Sequence, residues 1–244
     1  MLETKTIEYF DQDILLEGVC VYDAASKQSR PAILIAHDWT GRTDFNIEKA
    51  HQLAEMGYIS FALDMYGRGK IAKNNDEKLA LMKPLIEDRK GLLRRIMAAF
   101  DTVKSLPQVN PSDIGAIGFC FGGLCALDLA RSGSDVKAVV SFHGALTKPQ
   151  MQMQPIKSKI LVLHGYEDPR VPPEELIAFV DEMRVAKTDW EVVMYGNAKH
   201  AFTNPKANDE RLGTVYNEQA ARRSWKAMET FLDEVLPLKN GKRI

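Results

Sequence analysis

Cysteine is scarce in this sequence, which has only Cys20, Cys120 and Cys125 among its 244 residues. Their number is odd and no two of them form a C-x-x-C pair, so the pattern indicates neither a disulfide framework nor a cysteine zinc site. A reducing compartment is therefore predicted. The N-terminal segment mixes acidic with apolar residues and has no long apolar core of a secretory signal, so we expect a cytoplasmic protein.

The chain also lacks long apolar runs and a surplus of charge of either sign. No run approaches the ~20 apolar residues that cross a bilayer, and 32 basic against 33 acidic residues give a net charge of -1. Without a large positive field, no binding to nucleic acid or to a membrane is expected. A small-molecule partner is favoured instead, and the apolar helix faces favour a monomer.

Linkers, repeats and low-complexity segments are absent as well, which predicts a single domain over residues 1–244. Apolar runs rich in β-branched residues alternate with helical patterns, as they do in parallel sheets with crossover helices. We predict an α/β fold with a mostly parallel sheet of seven to eight strands and helices on both faces. The predicted strands are residues 18–24, 32–37, 58–64, 113–119, 136–143, 159–165 and 189–195.

The stretch 76–107 has a helical pattern that Pro84 and Gly91 interrupt. Proline removes a helical hydrogen bond and glycine weakens a helix, so two helices are predicted here. The first of them is a candidate for a small cap over a site, within residues 69–100.

A turn at Cys120 is the strongest chemical signal. Gly118, Cys120 and Gly122 form G-x-C-x-G where a predicted strand ends and a helical pattern begins, the thiol version of the G-x-S-x-G nucleophile elbow. Side chains at the two glycine positions would collide with the strand and the helix that the turn joins. The helix N-terminus favours thiolate over thiol, and its N–H groups can stabilise an oxyanion. The alternative is a small buried cysteine, whereas the nucleotide-binding patterns with early G-x-G-x-x-G or G-K-[ST] are missing.

An activated thiol needs a base, and the base needs a group that orients it. His200 lies in the loop between the last predicted strand and the C-terminal helix, the place of the base in hydrolases with this order of elements. Asp168 follows the strand that ends at His164, where the acid is expected, and Glu167 is a rival for that role. The chain order Cys120, Asp168, His200 is nucleophile, acid, base. We predict these three as the catalytic residues.

Two backbone groups are candidate oxyanion donors. They are the N–H of Phe121, directly after the elbow, and the N–H of Trp39, in the loop after an early strand. Trp39 could equally form a hydrophobic wall of the pocket. The remaining histidines, three at strand ends that can line the pocket and one inside a helix with a structural role, are His37, His143, His164 and His51.

Four motifs together resemble the dienelactone hydrolase family of α/β-hydrolases: "GFCFGG", "HGYEDPRVP", "KHAFTNP" and "HDWTG". The resemblance covers about residues 30–235. It implies the α/β-hydrolase fold and a Cys-Asp-His triad at Cys120, Asp168 and His200. It also implies a cytoplasmic enzyme without metal or organic cofactor, which hydrolyses an enol-lactone of chloroaromatic breakdown or a related small ester.

The sequence departs from the family pattern at the substrate side. The family commonly has glutamate in H-E-x-x-G, where it influences the ionisation of the cysteine; here the residue is Asp38. Two arginines hold the substrate carboxylate in the best-known members. The resemblance places the first at Arg68, in "DMYGR", but the second position is Asn204. A neutral amide cannot replace a charge-assisted arginine fork, so the reaction class is a firmer prediction than the lactone.

The predicted function is hydrolysis of a small activated ester or enol-lactone through a thioester acyl-enzyme, with Asp38 and Arg68 as substrate-binding residues. One alternative is a general carboxylesterase or peptidase activity of the serine-hydrolase kind. The other is a non-catalytic binding or thiol-sensing protein on the same fold.

Overall fold

A computed structural model describes residues 1–152 and 154–238 of the protein. Its main strands are β1 (Leu2–Asp11), β2 (Ile14–Asp23), β3 (Arg30–Ala36), β4 (Ile59–Ala62), β5 (Val109–Phe119), β6 (Ala138–Phe142), β7 (Lys159–Gly165) and β8 (Trp190–Tyr195). They form one sheet in the order β1-β2-β4-β3-β5-β6-β7-β8. β2 pairs antiparallel with β1 and β4, and all other neighbours are parallel. The predicted mostly parallel sheet is confirmed.

Helices cover both faces of this sheet. They are α1 (Asp44–Met56), α2 (Asn75–Glu87), α3 (Arg89–Lys104), α4 (Phe121–Arg131), α5 (Pro173–Ala186) and α6 (Glu218–Val235). A short hairpin of β9 (Asn208–Asp209) and β10 (Thr214–Val215) precedes α6. Within the described residues, no helix has the length and apolarity needed to span a bilayer.

The core has two layers, one on each side of the sheet. On β3, Leu34 packs into the cluster that holds α3, α4 and α5, whereas Ile33 and Ile35 pack into the cluster that holds α1 and α6. Alternate residues of a strand point to opposite faces, so a strand covered on both sides must be apolar throughout. This is why the central strands could be recognised as continuous apolar runs.

The N-terminal strand β1 was not predicted from the sequence. It lies at the edge of the sheet, pairs with β2 alone, and exposes half of its side chains, including Lys5 and Glu8. An edge strand with a solvated face needs no apolar run, and charged residues at an edge discourage pairing with other chains. Its polar composition therefore concealed the strand.

The two helices predicted within residues 76–107 are present, but the break lies at Asp88 and not at Pro84 or Gly91. The Asp88 carboxylate accepts the Gly91 N–H at 2.9 Å and so caps α3. Pro84 lies in the last turns of α2. α3 packs into the core, whereas α2 exposes most of its residues and lies along the cleft described below.

Candidate active site

Cys120 forms the turn between β5 and α4. Its backbone has φ 54° and ψ -115°, a conformation that residues other than glycine rarely adopt and that costs about 1–3 kcal/mol. The Cys120 N–H donates to the Phe142 carbonyl at 3.0 Å, and the Cys120 carbonyl accepts the Gly123 N–H at 3.0 Å. These bonds hold the strained backbone and leave the half-buried thiol at the wall of a cleft.

The two glycines of the turn are required by close backbone contacts. A Cβ at Gly118 would lie 2.0 Å from the Gly122 carbonyl oxygen. A Cβ at Gly122 would lie 2.1 Å from the Ala36 carbonyl oxygen, at the end of β3. Both distances are far inside van der Waals contact, and backbone atoms cannot move aside as a flexible side chain can. The steric need for both glycines is therefore confirmed, but Gly122 meets the neighbouring strand β3 and not the strand that the turn joins.

His200 lies beside the thiol. Its Nε2 is 3.0 Å from Cys120 Sγ, and the imidazole is buried. The His200 N–H donates to the Gly213 carbonyl at 3.0 Å, and the His200 carbonyl accepts the Val215 N–H at 2.9 Å. The loop after β8 is thus tied to the β9–β10 hairpin, which fixes the imidazole against the thiol.

Asp168 orients the other side of the imidazole. Its Oδ2 is 2.7 Å from His200 Nδ1, and its Oδ1 accepts the Arg170 N–H at 2.8 Å. The Asp168 N–H donates to the Gly165 carbonyl at 3.1 Å, so the carboxylate is held directly after β7. The rival Glu167 is exposed and does not contact His200. The structure therefore brings Cys120, His200 and Asp168 into one hydrogen-bonded chain.

The electrostatics of this chain favour the protonated form of His200. Burial opposes the protonated form of His200, but the charge of Cys120 and the hydrogen bond with Asp168 outweigh burial and raise the pKa of His200 to about 10. Protonated His200 therefore places a positive charge 3.0 Å from Cys120 Sγ.

A second histidine packs against His200. The His143 ring lies edge-on to it with 5.2 Å between centroids, and His143 Nε2 is 2.8 Å from Thr203 Oγ1. Burial, followed by the charge of His200, lowers the pKa of His143 well below its usual value. A neutral ring therefore supports the imidazolium without repelling it.

The other strand-end histidines do not line the cleft. His37 is buried, accepts the Met65 N–H through Nε2 at 3.1 Å, and has Nδ1 2.6 Å from the Asp38 carbonyl. His164 is buried near Asp168, and burial lowers its pKa. Of the three histidines expected at the pocket, the structure places His143 alone in the cleft wall.

Two backbone N–H groups are available near the elbow. Phe121 is the first residue of α4, so its N–H has no acceptor within the helix. Trp39 lies in the loop after β3, and its carbonyl accepts the Tyr66 hydroxyl at 3.0 Å. In the described part of the chain, neither the Phe121 N–H nor the Trp39 N–H has a protein acceptor. Both can donate to a bound substrate.

The thiol opens into a cleft of about 820 Å³. This size lies within the range of small-molecule sites, roughly 300–1,000 Å³. Loops after β3, β7 and β8 line it together with α1 and α2. The lining side chains include Asp38, Trp39, Thr43, Asp44, Phe45, Glu48, Ile71, Asn75, Lys78, Met82, Arg170, Thr203, Asn204, Lys206, Asp209 and Leu212.

The two residues predicted to bind substrate are placed differently. Asp38 lines the cleft, but its carboxylate accepts the Thr40 N–H at 2.7 Å, and His200 is the hydrogen-bond partner of the Cys120 thiol. Arg68 is exposed and does not line the cleft. Its backbone has φ 52°, and the substrate contact expected at Arg68 from the "DMYGR" pattern stays a prediction.

Sequence reasoning missed three cations that line the cleft, Lys78, Arg170 and Lys206. Arg170 stands within the acid loop "HGYEDPRVP", and Lys78 lies on α2 three residues after Asn75 and four before Met82. Those spacings place the three α2 residues on one helix face, and all three line the cleft. This spacing can be seen in the sequence, but the sequence does not show which face of α2 meets the cleft.

The sequence and fold match known proteins. Residues 19–236 match the model of the dienelactone hydrolase family. An Aquifex aeolicus protein named "Putative carboxymethylenebutenolidase" is 30% identical over 237 residues, which are 95% of this chain and 99% of that protein. An uncharacterized protein of Caenorhabditis elegans is 41% identical over 157 residues, 62% of this chain and 98% of that protein.

A solved structure with the same architecture is that of a dienelactone hydrolase-like promiscuous phosphotriesterase from metagenomic libraries. It is 33% identical, with a TM-score of 0.90 over 98% of this chain and 99% of that chain. The family model covers most of the chain, and the relatives match over nearly their whole lengths. This chain therefore belongs to the dienelactone hydrolase family and is a hydrolase with the α/β-hydrolase fold.

Proposed function

We propose that this hydrolase cleaves small activated esters or enol-lactones, with Cys120 as nucleophile, His200 as base and acid, and Asp168 as the group that orients His200. One observation carries the proposal: a continuous chain of contacts, 3.0 Å from sulfur to imidazole and 2.7 Å from imidazole to carboxylate, at the wall of the cleft. These are the distances at which a nucleophile, a base and its orienting acid act together.

In the acylation step, the Cys120 thiolate attacks the ester carbonyl carbon while His200 holds the proton on Nε2. The carbonyl oxygen becomes an oxyanion, which accepts hydrogen bonds from the N–H groups of Trp39 and Phe121. When the intermediate collapses, the bond to the leaving oxygen breaks and His200 gives its proton to that oxygen. The products are a thioester on Cys120 and a free alcohol, enol or phenol.

In the deacylation step, neutral His200 takes a proton from water through Nε2, and the resulting hydroxide attacks the thioester carbonyl. The oxyanion forms at the same two N–H groups. Collapse breaks the carbon–sulfur bond, releases the carboxylic acid and restores the thiolate beside the imidazolium. Asp168 keeps the other proton on Nδ1 throughout, so Nε2 of His200 serves both as acid and as base.

The nucleophile itself limits the substrate class. A thiolate leaves a tetrahedral intermediate easily, so it competes with the departing alcohol when the intermediate collapses. Enols and phenols, whose anions are stabilised, win this competition more readily than alcohols and amines, which depend on the proton from His200 to leave. Enol-lactones and aryl esters are therefore the favoured substrates, and the peptidase alternative is disfavoured.

A second candidate activity is hydrolysis of neutral phosphotriesters. The observation that favours it is the similarity, at 33% identity over almost the whole chain, to a protein described as a promiscuous phosphotriesterase. The same thiolate would attack phosphorus in place of carbon and displace the alcohol or phenol, which takes its proton from His200. Water activated by His200 would then break the phosphorus–sulfur bond and release the phosphodiester. The thiol-sensor alternative finds no support, because the next cysteine, Cys125, is fully buried inside α4 and not accessible as a resolving thiol.

Turnover of phenyl acetate and of an aryl phosphotriester by Cys120→Ala tests the proposal. We expect loss of ester hydrolysis in this variant and retention in the matched control Cys20→Ala, since Cys20 is fully buried in β2. His200→Ala should also slow alkylation of Cys120 by iodoacetamide, because the imidazolium that stabilises the thiolate is gone. Ester hydrolysis at the wild-type rate in Cys120→Ala would refute the assignment.

A further inference from the structure

Three buried rings connect the segments that carry the two proposed oxyanion donors. The ring of Phe121, whose N–H is one donor, is stacked on Tyr66 with 6.0 Å between centroids and 17° between planes. His37 lies edge-on to Tyr66 at 4.7 Å and contacts Phe121 at 6.2 Å between centroids. All three side chains are buried. This ring cluster of His37, Tyr66 and Phe121 therefore joins the first turn of α4 to the loops after β3 and β4.

His37 holds the peptide unit that contains the Trp39 N–H. Its Nε2 accepts the Met65 N–H at 3.1 Å, so the proton of the neutral ring is on Nδ1. Burial lowers the pKa of His37, which keeps the ring neutral. The Nδ1–H then donates to the Asp38 carbonyl at 2.6 Å, and the Gly41 N–H adds a longer bond of 3.4 Å to the same oxygen. In a trans peptide the N–H points opposite to the C=O, so the Trp39 N–H points away from His37.

Tyr66 holds the peptide unit on the other side of Trp39. Its hydroxyl donates to the Trp39 carbonyl at 3.0 Å, and its own backbone N–H donates to Asp64 Oδ1 at 2.8 Å. The buried Asp64 carboxylate also accepts the N–H groups of Gly67 and Gly69, both at 2.9 Å. The loop after β4 is therefore a fixed support, and the Tyr66 hydroxyl fastens the Trp39 loop to it.

Fixed carbonyls on both sides of Trp39 limit the rotation of its N–H. If the Asp38–Trp39 peptide unit turned over, the Asp38 carbonyl would leave His37 and its oxygen would take the place of the N–H. An oxyanion hole stabilises a transition state because its donors are in place before the charge develops. The hydrogen bonds from His37 and Tyr66 supply the fixed orientation that this donor needs.

We propose that His37 and Tyr66 are positioning residues of the oxyanion hole, which hold the Trp39 N–H in its donating orientation before the substrate binds. The proposal rests on the proposed function, since the oxyanion arises from the attack by Cys120. Neither side chain belongs to the described lining of the cleft, so both act through the backbone of Trp39. The role also gives a reason for an imidazole and a phenol in a core layer, where a polar group is costly unless it is hydrogen-bonded.

The variant Tyr66→Phe removes the hydroxyl and keeps the ring. We expect kcat for phenyl acetate to fall about 10- to 100-fold, less than the loss of about 10²- to 10³-fold that removal of a whole oxyanion donor causes. KM should change little, because both chemical steps use the same donor. Tyr58→Phe is the matched control, since the Tyr58 hydroxyl donates to the Leu236 carbonyl at 3.2 Å in the core layer of α1 and α6. This control also loses a buried hydrogen bond, and its kcat should stay within about twofold of wild type.

Two substitutions of similar size test His37. The side-chain amide in His37→Asn can donate to the Asp38 carbonyl from near the place of Nδ1, whereas the methyl group in His37→Leu cannot. Both variants lose the acceptor for the Met65 N–H, so the difference between them isolates the bond to Asp38. We expect kcat to be about tenfold lower in His37→Leu than in His37→Asn. If either variant does not fold, the comparison of Tyr66→Phe with Tyr58→Phe still decides.

Two inhibitors separate the oxyanion hole from the thiol. Phenyl trifluoromethyl ketone accepts the Cys120 thiolate at its carbonyl carbon, and the carbonyl electron pair moves to the oxygen, so the reversible adduct carries an oxyanion. Its inhibition constant should rise in Tyr66→Phe about as much as kcat falls. Iodoacetamide forms a carbon–sulfur bond and releases iodide without an oxyanion, so its rate of alkylation should stay within about twofold of wild type.

Equal kcat in Tyr66→Phe and Tyr58→Phe, equal kcat in His37→Asn and His37→Leu, or wild-type inhibition of Tyr66→Phe by the ketone would overturn the positioning role. A fall in the alkylation rate parallel to kcat would also overturn it, because Tyr66 would then act on the thiol. If Cys120→Ala still hydrolysed phenyl acetate, the proposed function would fail instead, whatever the results with the ketone.

Discussion

Replacing Asp168 by asparagine should trap His200 in the wrong tautomer. Asp168 Oδ1 accepts the Arg170 N–H at 2.8 Å, and Oδ2 lies 2.7 Å from His200 Nδ1. In Asp168→Asn the amide oxygen must remain with the Arg170 N–H, because an NH₂ group there would oppose donor to donor. The amide NH₂ then faces His200 Nδ1, which can accept its hydrogen bond only if the ring proton is on Nε2.

The wrong tautomer removes the base from the reaction. Nε2 faces Cys120 Sγ at 3.0 Å, and a neutral ring already protonated there cannot take a proton from thiol or from water. The variant also loses the carboxylate whose hydrogen bond helps to raise the pKa of His200. The loss in kcat should be about 10³- to 10⁴-fold, as for this substitution in other nucleophile–histidine–acid sites, which corresponds to ~4–5.5 kcal/mol in the barrier.

The assay compares kcat for phenyl acetate with the rate of Cys120 alkylation by iodoacetamide at pH 7, and both should fall in Asp168→Asn. The matched control is Glu167→Gln, since this neighbouring carboxylate is exposed and does not contact His200. Its kcat should stay within twofold of wild type, roughly the effect of a surface substitution. An Asp168→Asn variant with more than a tenth of wild-type activity, or equal losses in both variants, would refute the reasoning.

Two further predictions concern stability. Burial lowers the pKa values of His37 and His143 in the folded protein, so the unfolded chain binds protons first as the pH falls below about 6.5. The free energy of unfolding should fall by up to ~1.4 kcal/mol per pH unit for each histidine between pH 6.5 and 5. Urea titrations at several pH values should show that the unfolding free energy of His143→Asn depends less on pH than that of wild type; an unchanged pH dependence would contradict this. Asp128→Asn should cost ~3–5 kcal/mol, because it deprives the buried Arg131 of part of its counter-charge, whereas removal of the exposed Asp135 should cost under ~1 kcal/mol; equal urea midpoints for these two variants would contradict the difference.

Most of the sheet could be predicted because its strands are buried on both faces. Ile33 and Leu34 face opposite layers of the core and both must be apolar, so strands such as β3 and β7 appear as continuous runs. The edge strand β1 escaped the same reasoning, since an exposed strand carries no such run. The continuous apolar runs therefore result from burial on both faces of the sheet and not from strand formation itself.

Cys120, Asp168 and His200 could be placed in one site because a parallel sheet brings the carboxyl ends of its strands to one edge. The cytoplasmic location, the single domain and the monomeric state stay predictions from the sequence, as do the catalytic roles. The substrate-binding role of Arg68 also stays a prediction, because this arginine is exposed and does not line the cleft. A sequence pattern gives the position of a residue but not the direction of its side chain.

The sequence by itself determined the order of the buried strands, the glycine-flanked turn and the loops that carry Asp168 and His200, because these follow from local sterics and burial. Only the tertiary structure decided which side chains share the cleft wall. Lys78, Arg170 and Trp39 come from three separate segments, and nothing in local sequence links them. Their proximity results from the packing of α2 and two loops around the sheet edge, a long-range arrangement that no periodicity records.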